Sequence, residues 1–318
     1  MTADELFLLS SLSRLSAFTV TEKEKQFGIN GWLANKNYKI RIEDGEPILS
    51  ETQDDLDIVF ANEIARLGSA SIETISLIRN HKYISGAAPW GLIKLYYASF
   101  FAANSTLRLF GQSCTYLSSG AILEYQKMRN IYGIVEEDIL RSKSLYHVSS
   151  PSKSEVSFAR LKESHQDTWK TYVNLLKELP LKVNQSNGSN QTKASLIAHL
   201  DSIQRHVENR RDGQRNAGWM STFRNDVNYK QEYGIWHPSK KNAKSFHSHL
   251  IGRLNTFLKS SSSASAVNTD LDYMVESALL VIQLFFNVLN FNVDRVKEPT
   301  ANLSRLKRQL NEAKLIQS

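Results

Sequence analysis

The residue types best suited to chemistry are gathered in Phe223-Arg224-Asn225-Asp226-Val227-Asn228-Tyr229. In a helix, Arg224 and Asn228 share one face with Asn225 and Tyr229 beside them, because positions four apart are neighbours. A guanidinium, two amides and a phenol so close together can bind an anion and hydrogen-bond a polar ligand. Arg210, Arg211 and Arg215 precede the stretch, and Tyr233-Gly234-Ile235-Trp236-His237-Pro238 follows it. The same residues also admit a structural reading, in which Arg224 pairs with a carboxylate and Tyr229 packs against a bundle.

The elements that must position these residues are mostly helices. Only six prolines and 14 glycines interrupt 318 residues, which favours long helices over many short strands. Leu6, Leu9, Leu12 and Leu15 predict a short amphipathic helix over 4–18. Tyr38, Ile40 and Ile42 alternate with charged residues before Asp44-Gly45, which predicts a small hairpin. Leu56, Phe60, Ile64, Leu67, Ile75 and Ile78 predict a helix over 54–80, with Ser71 filling the gap in its stripe. Pro89 suits the first turn of the next helix, which runs to about Phe110 and stops at Gly111. Its wide apolar arc, with Tyr96, Tyr97, Phe100 and Phe101, predicts burial between neighbours.

From 112 to 211 the pattern is less regular. Helical turns are expected at 123–131 and 135–140. A helix from Trp169 to Leu179 is expected to stop before Pro180, with 182–192 as a polar surface loop. Leu196, Leu200, Ile203 and Val207 predict a helix over 193–210. The Ser/Ala run at 259–268 reads as a connection. Thr269 or Asp270 can cap a helix carrying Leu271, Met274, Ala278, Ile282, Phe285 and Leu289. A final amphipathic segment holds Leu303, Leu306, Leu310 and Ala313. The expected fold class is mainly α.

Composition limits the function classes. Lys and Arg total 39 against 32 acids, a net +7, and the pI is near 9.3. This fits contact with nucleic acid or an acidic partner, and equally a basic surface that aids solubility. Hydrophobic residues make up 41% and charged residues 22%, an ordinary globular balance. The single cysteine, Cys114, allows no internal disulfide and suits a reducing compartment. No signal-peptide charge pattern follows the acidic Met1-Thr2-Ala3-Asp4-Glu5. The run from Ala278 to Phe291 reads as too short and too polar for a bilayer. A cytoplasmic location without membrane contact is the expectation. There is no P-loop, dinucleotide fingerprint or nucleophile elbow. His247 and His249 lack a surrounding ligand cluster, so no metal or other cofactor is expected.

Two stretches together resemble the HEPN superfamily (higher eukaryotes and prokaryotes nucleotide-binding). Pro89-Trp90-Gly91-Leu92-Ile93-Lys94-Leu95-Tyr96-Tyr97-Ala98-Ser99-Phe100-Phe101-Ala102-Ala103 is similar to the family's aromatic and alanine-rich second helix. Arg224-Asn225 is similar to its Arg followed by a polar residue. The resemblance implies a helical bundle over 54–111 and 212–292, with 1–53 as a helix-and-hairpin extension. On this division 112–211 is a helical insertion and 293–318 a C-terminal amphipathic helix. Many members are metal-independent ribonucleases that dimerise, with two R-x(4–6)-H motifs facing one another, and many act in toxin–antitoxin or antiphage systems. The motif histidine would fall at 229–231, where this chain has Tyr229, Lys230 and Gln231; His237 is the next histidine. An unperturbed phenol titrates near pH 10 and an imidazole near 6.5, so Tyr229 is a poor base at neutral pH.

The resemblance therefore implies an endoribonuclease acting as a defence or toxin effector, with Arg224 on the scissile phosphate and Asn225 orienting it. Tyr229 or a folded-back His237 would transfer protons, and Arg210, Arg211, Arg215, Asn228 and Lys230 would contact RNA. The alternative is a noncatalytic module that binds RNA or a partner protein through the same face. The expected assembly is a homodimer, with an antitoxin or defence-system protein as a further partner. A helical scaffold with a structural Arg224 is the third reading.

Overall fold

The computed structural model describes residues 1–14, 28–35, 38–51, 54–80, 88–134, 140–150, 155–236, 241–259, 269–293 and 301–312. The expectations for Leu15, 135–139, 260–268 and Ala313, and for His237, fall outside these residues. The chain is mainly helical with one small antiparallel sheet. In order come α1 (Ala3–Ser11), α2 (Ile29–Ala34), β1 (Tyr38–Glu43), β2 (Glu46–Glu51), α3 (Asp54–Asn80) and α4 (Ala88–Leu109). Then follow β3 (Gln112–Tyr116), α5 (Ser119–Ile131), β4 (Leu145–Ser149), β5 (Glu155–Leu161), α6 (Ser164–Gln185) and α7 (Asn190–Glu208). The rest is α8 (Trp219–Tyr229), α9 (Lys241–Lys259), α10 (Asp270–Val293) and α11 (Ala301–Glu312).

The long helices form where the apolar period predicts them. Leu56, Phe60, Ile64, Ile75 and Ile78 of α3 are buried, and the Ser71 hydroxyl fills its gap by donating to the Ala98 carbonyl at 2.9 Å. Gly68 marks a close approach, since a Cβ there would lie 2.9 Å from the Phe285 ring of α10. Gly111 ends α4 with φ +76°, a conformation that glycine adopts without strain. Thr269 and Asp272 exchange side chain-to-backbone hydrogen bonds of 3.1 Å at the start of α10.

Helix α10 corrects one expectation. It is long and apolar enough to cross a membrane by length and composition, but 67% of its most apolar window is buried within the molecule. It packs on α4 as the core of the bundle.

The sheet has order β1-β2-β5-β4-β3, every pair antiparallel. The hairpin forms as expected, with Asp44 at φ 50° and Gly45 at φ 78° in its two-residue turn. It does not stand alone: β2 pairs with β5, so segment 112–211 contributes three strands to the sheet, with α5 between β3 and β4. One sheet face, with Ile40, Leu49, Val148, Val156 and Phe158, packs with α2, α5 and the start of α3 in a second core.

Several boundaries differ from expectation, the first being α1, which ends at Ser11 and is capped at Leu12 where a helix to residue 18 was expected. Helix α6 runs through Pro180 to Gln185, taking in much of the expected loop. Its stripe of Leu175, Leu176, Leu179 and Val183 is continuous across the proline and fully buried. Apolar burial at about 1.5–3 kcal/mol per side chain outweighs the ~3 kcal/mol cost of an interior proline. Ser189 then caps α7, its hydroxyl accepting the Thr192 N–H at 3.1 Å.

Candidate functional site

Helix α8 carries its charge inward. Met220, Phe223, Arg224 and Val227 fall on one stripe and all are buried. Beyond the helix the Tyr233–Trp236 segment folds back. The Trp236 indole donates to the Val227 carbonyl and meets Trp90 of α4 edge-on, at 5.7 Å. Arg224 is thereby held against α4 with only 9% exposure.

The guanidinium lies over two tyrosines of α4. Its Cζ is 5.2 Å from the Tyr96 ring centre and 5.5 Å from that of Tyr97, both within cation–π range. Its Nε is buried without a hydrogen-bond partner, and no ion pair reaches it among the described residues. The expected carboxylate partner is not what holds Arg224 in place.

His165, in the first turn of α6, completes the cluster. Its Nδ1 lies 2.9 Å from the Tyr96 hydroxyl, and its ring is 4.5 Å from that of Phe100. The Trp169 indole donates to the same Tyr96 oxygen at 3.2 Å. Burial raises the Tyr96 pKa, against the Trp169 hydrogen bond, the nearby Ser221 hydroxyl and the positive charge of Arg224, which lower it. The Trp169 indole can only donate, so the phenol oxygen accepts from it and keeps its own proton to give. The phenol proton is then directed at His165 Nδ1, which assigns the imidazole as an Nε2–H tautomer. Burial, and next the positive charge of Arg224, hold the His165 pKa down to about 4. At neutral pH the site is one cation, one neutral imidazole donor and an aromatic wall.

Folded His165 resists protonation until about pH 4, whereas the unfolded chain takes the proton near 6.5. Stability from this group is therefore complete above 6.5 and is lost as pH falls toward 4. Denaturant melts of His165→Gln should show a flatter pH dependence across that window than the parent. Nitrogen-15 NMR of the parent should find a neutral Nε2–H ring at pH 6; an imidazolium there would contradict the assignment.

The other candidates are dispersed. Asn225 and Asn228 are half-buried, while Tyr229 is 73% exposed at the end of α8. Arg224 and Tyr229 are five positions apart and so face different ways, which leaves Tyr229 away from the cluster. Lys230 pairs with Asp226 at 2.7 Å. Arg210, Arg211 and Arg215 are exposed on a short turn closed by an Asn209–Arg215 bridge, and Arg211 pairs with Asp270 at 2.7 Å. Cys114 lies in β3 beside Thr171, where burial pushes its thiol pKa up, as suits an inert cysteine. His165 carries no signal of its own in the sequence, because the motif spacing points to 229–231 and this histidine lies on another helix. Tyr96 and Tyr97 were visible only as part of an apolar stripe.

No family model, curated protein or solved structure matches the chain.

Proposed function

We propose that the chain is an RNA-binding protein of HEPN-like type, with Arg224 and His165 holding one backbone phosphate. The observation that carries this is the Arg224 guanidinium, nine-tenths buried with an unpartnered Nε–H and no carboxylate on it among the described residues. A buried charge is costly without a counter-ion, and phosphate oxygens match a guanidinium in geometry and charge. The His165 Nε2–H adds a neutral donor. Half-buried Tyr97 and Phe100 offer ring faces on which bases can stack. The net charge of +7 favours the encounter.

Anisotropy of a labelled single-stranded RNA, titrated at several salt concentrations, tests the reading. Log affinity should fall against log salt by about 0.7 per phosphate contact. An affinity that stays constant between roughly 50 and 200 mM salt would remove the phosphate contacts and the reading with them.

A second reading, metal-independent endoribonuclease, is favoured by the imidazole standing beside Arg224 in space. The 2′-hydroxyl would attack the adjacent phosphorus and lose its proton to His165, Arg224 would stabilise the phosphorane, and the 5′-oxygen would leave taking a proton from water. That role needs a free lone pair on Nε2, hence the opposite tautomer to the one Tyr96 imposes, which is why binding ranks first. Cleavage in EDTA that yields 2′,3′-cyclic phosphate ends and is abolished in His165→Ala would establish this second reading. RNA left intact would set it aside. The HEPN resemblance adds a homodimer and an antitoxin or defence-system partner. Sedimentation as a 36.1 kDa species alone at micromolar concentration would count against the dimer.

A further inference from the structure

A second feature of α8 is unused by the phosphate site. Phe223 and Arg224 are consecutive, and while Arg224 lies on α4, Phe223 lines a separate cleft of about 380 Å³. Its walls are aromatic. Phe223 stacks on Tyr233 at 4.4 Å, and Trp219 lies 5.5 Å from Tyr273 of α10. Arg210, Arg211, Asp212 and Asp270 form the polar rim.

Two observations mark the cleft as more than a gap. Trp219 is 5% exposed, yet its indole N–H has no partner. An unpaired buried donor costs about 1–3 kcal/mol, which an acceptor brought by a ligand would recover. Tyr233 is also held at φ 67°, a left-handed conformation that a bulky residue rarely adopts. Such strain persists where the surroundings fix a side chain in place, and it is concentrated at binding sites. Here the Tyr233 ring lies against Phe223 with an interplanar angle of 27°.

We propose that this cleft takes a single nucleobase of the bound RNA, stacked on the aromatic walls, with a base acceptor on the Trp219 N–H and the attached phosphate at Arg210. A volume of about 380 Å³ suits one nucleotide. The two rim arginines are balanced by the two aspartates, and Arg211 is engaged with Asp270. Stacking and the indole hydrogen bond therefore supply most of the affinity, and the phosphate supplies less. The aspartates can accept from an exocyclic amino group, which favours adenine, guanine or cytosine over uracil. The inference rests on the RNA-binding reading and gives it a base-recognition element.

The test follows the Trp219 indole N–H by NMR while nucleosides, their 5′-monophosphates, inorganic phosphate and N-acetyl-tyrosinamide are added to the full chain. The expected result is a downfield shift of that resonance with adenosine. The monophosphate should bind severalfold more tightly than the nucleoside, and that gain should vanish in Arg210→Ala. Tyr273→Ala should weaken both ligands by tenfold or more, with the other indole resonances unchanged as evidence of an intact fold. Three results would overturn the proposal: no shift with any nucleoside, an equal response to inorganic phosphate alone, or an equal response to the tyrosine amide. Salt-sensitive RNA binding that depends on Arg224, with no nucleoside effect at Trp219, removes the base cleft and leaves the phosphate site standing. Nucleoside binding in a chain that fails to bind RNA supports the cleft and removes the phosphate-site reading.

Discussion

Arg224→Ala should lower RNA affinity about 10- to 100-fold while leaving the fold as stable as before. A hydrogen-bonded contact to a charged group is worth roughly 1.5–3 kcal/mol, and every 1.4 kcal/mol is about a factor of ten. Stability should hold because two effects oppose one another. Alanine loses the contact with the Tyr96 and Tyr97 rings, worth about 0.5–2 kcal/mol. It also removes a charge that is buried with an unpartnered Nε. Arg224→Lys should not restore RNA binding, because an ammonium has neither the planar fork nor the flat face that rests on the tyrosines. Anisotropy titrations and urea melts on the same samples separate the outcomes. A variant that melts several kcal/mol earlier yet binds RNA as before would make Arg224 a structural residue, and the scaffold reading would replace the functional one.

Arg108→Ala should destabilise the fold by about 3–5 kcal/mol, because it strands a buried carboxylate. Arg108 is 3% and Glu63 6% exposed, and the two pair through Arg108 Nε. The remaining guanidinium nitrogens are also engaged, Nη1 donating to the Asn104 carbonyl at 2.9 Å and Nη2 lying 3.5 Å from the Thr115 hydroxyl. Glu63 also accepts the Ile29 N–H, tying α2 to α3. Burial works to raise the Glu63 pKa, but the charge and hydrogen bond of Arg108 prevail and hold it below the usual carboxylate value. The pair joins the long bundle helices to the sheet side of the molecule, since Arg108 is on α4 and Thr115 on β3. A double variant, Arg108→Met with Glu63→Leu, should recover much of the loss, because two apolar side chains leave no charge unpaired. A loss under about 1 kcal/mol in Arg108→Ala would mean that water reaches Glu63 and that the pair is not buried in solution.

The sequence by itself determined the helical bundle and the hairpin, for reasons that are local. An apolar residue at every third or fourth position must face one way, so Leu56 through Ile78 could only form a one-sided helix. Asp44-Gly45 could supply the two positive φ angles of a tight turn without neighbours to enforce them. Arg224 was also legible, as a cation amid amides. Three things were decided only by the tertiary structure. Strands β3 to β5 find their partners only in the folded sheet, β5 on the hairpin edge, β4 on β5 and β3 on β4, so little in 112–161 announces them. Pro180 stays within α6 because buried leucines on both sides outweigh its local cost. The imidazole beside Arg224 comes from His165 on α6 and not from a residue a few positions downstream, because packing, unlike helical periodicity, brings together side chains from distant segments. Its protonation state is set the same way, by the Tyr96 hydroxyl and by burial that exist only once α4, α6 and α8 have met.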